Sequence, residues 1–359
     1  MGKIESIAKW DLANNTWNLS VSEKEKGRCF SFGTYDELAQ EQEGTKEIDY
    51  VIFAYGSRVE DHSKNYIDIK ETAAGIDKFI KYFSKTKNRM VIKLFLMDAD
   101  APIKEDAKLL AHYIDNLSLL PTTKSINMIG LSKCGAMAVH LPKNFKTASS
   151  YAKTNIYTIA APFDGTKMAS PKLLYPEVEQ LIKSKLGSNN LSNKVYNQLI
   201  KFYESISSNS HMDYDIARLG GVPEDKYKVY DPSLIETIFS KENISALQQV
   251  NAYQNICTGI DNKTVKSAIK RVDITGIGLC ITNELFLNGK SDGMVLVESQ
   301  KKIEEEIPTL KSYEIPTTHS ITTNQEALTK VLSLVNDTME EQTDRLVFQK
   351  KRTNTKKVS

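Results

Sequence analysis

Asn127-Met128-Ile129-Gly130-Leu131-Ser132-Lys133-Cys134-Gly135-Ala136-Met137-Ala138 runs from an apolar stretch, through a glycine, to a single serine, and on into small helix-forming residues. A strand that turns straight into a helix leaves one side chain at the apex of the turn. The backbone there is strained and the space tight, so the flanking positions must carry small residues. Gly130 and Gly135 meet that need. Cys134 stands where a second glycine is usual, and it is small enough to take that place.

The same rhythm extends on both sides. Tyr50-Val51-Ile52-Phe53-Ala54 reads as a buried strand ending at Gly56. Helical spacing from Ile67 to Phe83 places Ile69, Ala73, Ile76, Phe79, Ile80 and Phe83 on one side. A second strand covers Met90 to Met97, and an amphipathic helix covers Glu105 to Leu117. A third strand leads into the serine, and Asn155 to Ala161 is a fourth, stopped by Pro162. Strands alternating with helices imply an α/β chain with a mostly parallel sheet flanked by helices.

Outside this stretch the pattern changes. Residues 1–45 are poorly patterned, apart from an alternation around Trp10 to Val21 that fits a hairpin broken at Asn14-Asn15. Residues 167–249 are mainly helical, over Pro171 to Leu186, Leu191 to Ser207 and Pro232 to Gln248, and are expected to be a helical cap inserted into the core. Their apolar residues fit either a lid or the insertion's own core. Strands return at Val250 to Cys257 and Leu310 to Ile315. A last helix spans Thr323 to Asn336, with Ala327, Leu328, Val331, Leu332 and Val335 as its buried stripe. The expected organisation is therefore an N-terminal extension (1–45), a core in two pieces (46–166 and 250–340), the cap (167–249) and a basic tail (341–359).

With 359 residues, 40% hydrophobic and 26% charged, the chain can bury a sizeable core. A net charge of +2 builds no strong field, so a nucleic-acid partner is not expected. No apolar run reaches the length of a membrane span. The first residues lack the apolar core of a signal peptide, which favours a cytoplasmic protein, with signal-less export an open alternative. The basic tail and the cap are the two places where peripheral membrane contact could arise. None of the four cysteines forms a C-x-x-C pair, so no metal site is expected. Oligomeric state is not legible.

A serine nucleophile needs a base, an acid to orient the base, and N–H donors for the oxyanion. After an elbow of this kind the acid and then the histidine follow in chain order. His319, in Ile315-Pro316-Thr317-Thr318-His319-Ser320, is the one histidine of five that lies beyond the later acids, and it sits at a strand end. His62 and His112 precede the serine, His140 is on the elbow helix, and His211 is in the insertion. Two acids compete. Asp292 sits in the turn Ser291-Asp292-Gly293-Met294-Val295, while Asp261 follows the strand that ends near Gly259. The backbone N–H groups of Lys133, next to the serine, and Ser57, after the first clear strand, are the expected oxyanion donors.

These segments resemble the α/β-hydrolase family, and within it the lipase and esterase branch. Gly130-Leu131-Ser132-Lys133-Cys134-Gly135 is similar to its Gly-His-Ser-x-Gly-Gly elbow. Ala161-Pro162-Phe163-Asp164-Gly165-Thr166 is similar to a stretch in which a strand ends in Pro-His-x-Gly-Thr. Ser291-Asp292-Gly293-Met294-Val295 resembles the segment that carries the triad acid, and Thr318-His319-Ser320 the segment that carries the triad histidine. The chain departs from the pattern at Tyr55-Gly56, where the family commonly has His-Gly, at Cys134 and at Phe163. The resemblance implies an α/β-hydrolase fold and a cofactor-free serine hydrolase with Ser132, Asp292 and His319 as its triad. The expected substrate is a small or lipid carboxylic ester. An acyltransferase or thioesterase with the same triad, and a binding protein that has kept only the fold, are the alternatives.

Overall fold

The computed structural model describes residues 8–11, 16–19, 29–32, 47–57, 90–98, 103–166, 168, 175–190, 192–194, 196–198, 200, 238–270, 279–283, 289–319, 321, 324 and 326–338. The expected helix over Ile67 to Phe83, most of the expected cap and the basic tail lie outside these residues.

Seven strands form one sheet: β3 (Cys29–Phe32), β4 (Ile48–Ser57), β5 (Met90–Asp98), β6 (Thr123–Leu131), β7 (Thr154–Ile159), β8 (Ala252–Gly259) and β9 (Tyr313–Pro316). Their order is β3-β5-β4-β6-β7-β8-β9, and every neighbouring pair is parallel except β3 with β5. This is the mostly parallel sheet flanked by helices that the sequence predicts. The hairpin expected around Trp10 is present as β1 (Ala8–Asp11) and β2 (Thr16–Leu19), with Trp10 opposite Trp17. β3 went unread, because four residues on a sheet edge carry too short a pattern.

Buried parallel strands need apolar side chains on both faces. Tyr50, Ile52 and Ala54 of β4 and Ile126 and Met128 of β6 face one side. They pack there with the apolar stripe of α1 (Ile103–Ser118), formed by Ile103, Ala107, Leu110, Ile114 and Leu117. Met137 and Val139 of the elbow helix α2 (Lys133–His140) complete that layer, with Ile244 and Leu247 of the later helix Lys241–Leu247. Residues 326–338 are helical, and all five expected stripe residues from Ala327 to Val335 are buried. Gln254 of β8 donates to Thr338 at the end of that helix (2.7 Å).

Polar side chains line the sheet near the start of its strands. Ser125 donates to Asp49 (2.6 Å), Asn127 to Ser125 (3.0 Å), Asn155 to Asn127 (2.8 Å) and Asn251 to Asn155 (2.9 Å). Each member finds a partner across a strand, so burial of the row carries little desolvation cost. The opposite, C-terminal end of the sheet stays free for chemistry.

Candidate active site

β6 delivers Ser132 to the C-terminal end of the sheet. The strand stops at Leu131 and α2 starts at Lys133, so one residue makes the whole turn. Ser132 accordingly has φ 56° and ψ −125°. The Ser132 N–H donates to the Ile159 carbonyl of β7 (2.8 Å), and the Ser132 carbonyl accepts from Gly135 (2.8 Å). The glycines are demanded by contact. A Cβ on Gly130 would lie 2.4 Å from the Cys134 carbonyl oxygen, and one on Gly135 would lie 2.7 Å from the Ala161 Cβ. Cys134 itself is fully buried. Its position needs small size, and a thiol satisfies that.

β7 ends two residues earlier than its apolar run suggested. Ala160 turns to φ 51°, and its N–H donates to Ile256 of β8 (2.9 Å). Beyond it Gly165 donates to the Pro162 carbonyl (3.0 Å), so exposed Asp164 lies in a turn. Phe163 is buried against the Phe239 ring at 5.9 Å between centroids.

The two candidate acids separate clearly. The Asp292 carboxylate is fully buried, and its Oδ2 lies 2.8 Å from Nδ1 of His319. Thr258 Oγ1 (2.6 Å) and Gln300 Nε2 (3.3 Å) also donate to Oδ2. Oδ1 accepts the N–H groups of Met294 (2.9 Å) and Val295 (2.8 Å). The pairing is reinforced along the main chain, where His319 N–H donates to the Asp292 carbonyl (2.8 Å). Asp261 instead caps the helix Asn262–Lys270, accepting both the N–H and the hydroxyl of Thr264 at 2.7 Å. The Thr264 hydroxyl first, and then its N–H, hold the Asp261 carboxyl below the usual range.

With a carboxylate at Nδ1, the imidazole carries its proton there and leaves Nε2 as the basic nitrogen. The ring is about one-sixth exposed, while the acid behind it is sealed. His319 follows β9 by three residues, and Asp292 is bonded to the end of β8. Both therefore lie at the C-terminal edge that carries Ser132, since β6 to β9 all run in one direction.

The expected oxyanion donors lie on the same edge. Lys133 opens α2, so its N–H belongs to the first turn, the end where a helix gathers positive partial charge. Ser57 is the last residue of β4 rather than part of the loop beyond it, and it pairs in register with Asp98. Ala54 of β4 is level with Gly130 of β6. Residues 57 and 132 thus stand three and two positions past the same rung. Sequence reasoning missed Thr258 and Gln300, which touch the acid from distant positions. A threonine one residue before a strand-ending glycine was the only trace of the first, and nothing marked the second.

The buried Cys257 thiol precedes Thr258 on β8. Burial pushes the Cys257 thiol up to about 12, which leaves it inert at neutral pH. Among the described residues no cluster of side chains could hold a metal ion, and no helix is long and apolar enough to cross a membrane.

No protein-family model matches the chain, and no curated protein matches it. Solved structures do. The mature form of the lipase BlEst2 of Bacillus licheniformis is 13% identical with a TM-score of 0.47, over 86% of this chain and 98% of that one. Est1E from Butyrivibrio proteoclasticus is 11% identical with a TM-score of 0.39, over 83% and 89% of the two chains. A structure from Nitrososphaera gargenis, described with that organism's carboxylesterases, is 11% identical with a TM-score of 0.40, over 88% and 98%.

Proposed function

We propose that this chain is a serine hydrolase of carboxylic esters in which Ser132 is the nucleophile, His319 the base and Asp292 the orienting acid. One observation carries the reading: a sealed carboxylate bonded to Nδ1 of a part-exposed imidazole, at the sheet edge where a serine is held at positive φ. A buried Asp–His pair alone could be structural. A strained serine at an elbow on the same sheet edge as such a pair is the combination that acyl transfer requires.

In the proposed reaction Nε2 of His319 takes the Ser132 hydroxyl proton as Oγ attacks the ester carbonyl carbon. The carbonyl oxygen gains the negative charge, and the N–H groups of Lys133 and Ser57 receive it. The tetrahedral intermediate collapses, the carbon–alkoxy bond breaks, and His319 protonates the departing alcohol. Water then attacks the acyl-enzyme, giving up its proton to His319, and the acid leaves as the Ser132 Oγ recovers that proton. No cofactor enters. The helices of 167–249 are proposed to cover the pocket and set the acyl length it accepts.

A fluorophosphonate probe tests the reading, because it phosphonylates only an activated serine. The expected result is labelling of the wild-type protein that Ser132→Ala abolishes. Failure of the wild type to label under conditions where it is folded overturns the proposal in favour of a non-catalytic binding protein. Where labelling holds, p-nitrophenyl esters of rising chain length report the acyl preference. Turnover with alcohol or thioester partners separates hydrolase from transferase or thioesterase.

A further inference from the structure

The end of β8 beside the proposed acid is held in an unusual way. β7 pairs with β8 only as far as Ile159 opposite Ile256, so Thr258 lies beyond the reach of that neighbour. On its other side Thr258 is level with Ile315 of β9. Gln300 occupies the vacated side. Its Oε1 accepts the Thr258 N–H (2.7 Å) and its Nε2 donates to the Thr258 carbonyl (3.0 Å). One side-chain amide thus supplies both bonds that a neighbouring strand would make.

Gln300 is fully buried and is itself fixed, because Asn255 Nδ2 donates to its backbone carbonyl (2.8 Å). Held in this way, Thr258 aims its hydroxyl at Asp292 Oδ2 (2.6 Å), and Gln300 Nε2 reaches the same oxygen (3.3 Å). The carboxylate cannot swing without losing one of these donors or the Met294 and Val295 N–H groups on Oδ1. Oδ2 is left facing Nδ1 of His319.

We infer that Thr258 and Gln300 are positioning residues for the proposed reaction, a coupled pair that fixes the facing of the Asp292 carboxylate and, through it, the stance of the His319 ring. This rests on the triad reading given above. Neither residue touches the reacting atoms. Loss of the Thr258 hydroxyl leaves Oδ2 with one strong donor fewer and frees the carboxyl to rotate, so the imidazole loses its fixed tautomer and aim for part of the time.

The experiment uses the full chain carrying Thr258→Val, which keeps the shape of the side chain and removes its donor. Thr258→Ser restores the donor, and Thr258→Cys keeps the volume with only a weak one should valine disturb folding. Two quantities are read. The first is the kcat-against-KM split on p-nitrophenyl butyrate, where kcat is expected to fall about tenfold or more with KM unchanged. The second is the downfield proton resonance of His319 Nδ1–H, assigned by its loss in His319→Gln. It is expected to move upfield or vanish in Thr258→Val and to return in Thr258→Ser.

A wild-type kcat together with an unmoved resonance in Thr258→Val overturns the inference. So does a loss of kcat that Thr258→Ser fails to rescue. Fluorophosphonate labelling in parallel keeps the two proposals apart. Labelling with no effect of Thr258→Val removes the clamp and leaves the hydrolase reading. No labelling with the resonance behaving as expected removes the hydrolase reading and leaves the clamp on the Asp–His pair.

Discussion

Ser132 and Ala160 are the non-glycine residues with positive φ among those described, and each immediately follows the last residue of one of two adjacent strands, β6 and β7. At Ser132 the combination of φ 56° and ψ −125° is a region that side chains resist, at a cost of about 1–3 kcal/mol. The fold tolerates it because the N–H and carbonyl of Ser132 are both bonded and because Gly130 lets α2 lie against β6. Removing the hydroxyl does not relieve this strain, whereas removing Cβ does. Ser132→Gly is therefore expected to exceed Ser132→Ala in unfolding free energy by about 1 kcal/mol in urea titrations, the added freedom of the unfolded glycine offsetting part of the gain. Both variants are expected to be inactive. The two aspartates make a second contrast at this scale. Asp292→Asn keeps the shape but not the charge, and kcat is expected to fall by about 10⁴. Asp261→Ala removes only a helix cap, and is expected to cost about 1 kcal/mol with kcat unchanged.

The acid is carried by a loop that its neighbours bolt in place. Thr166 donates to the Met294 carbonyl, and Ser299 bridges the turn after β7, accepting from Asp164 N–H (2.9 Å) and donating to the Gly165 carbonyl (2.9 Å). Lys290 and Lys301 both bond to Glu314 of β9, and they hold its carboxyl below the ordinary range. At the centre Gly293 sits at φ 93°, where a Cβ would lie 2.5 Å from the Leu279 carbonyl oxygen. Gly293→Ala must therefore push this loop outward, shifting the Met294 and Val295 N–H groups that hold Oδ1. Circular dichroism is expected to show a retained fold with a lowered melting temperature, while kcat falls more than KM changes. The Ser-Asp-Gly turn was legible because what a turn asks of glycine is local in sequence. Thr258 and Gln300 were not, because their partners lie 34 and 42 residues away and only the closed sheet brings them together.

Over the whole molecule, legibility followed the same division. Long apolar runs fixed β4 to β8 to within a few residues, since strands buried on both faces leave an unbroken signature. The order of those strands was not written in any one of them, and β3 and the polar row from Asp49 to Asn251 depend wholly on pairing across the sheet. His140 shows what such packing does to a group chosen for no chemistry. It closes the elbow helix, fully enclosed, with Nδ1 3.2 Å from Asn243 Nδ2 in Lys241–Leu247. Burial first, and then the charges of Lys143 and Lys104, lower its pKa from 6.5 to about 3. The native protein therefore holds this ring neutral, while the unfolded chain protonates it below about pH 6.5. The resulting linkage favours unfolding as pH falls from there toward 3, by up to about 1.4 kcal/mol per pH unit. His140→Gln keeps a polar partner for Asn243 and removes the titration. Urea midpoints measured from pH 7.5 to pH 5 are expected to fall more steeply for the wild type than for His140→Gln, the two converging in slope above pH 7. Parallel curves across the whole range would show that His140 takes up its proton equally in the folded and the unfolded protein.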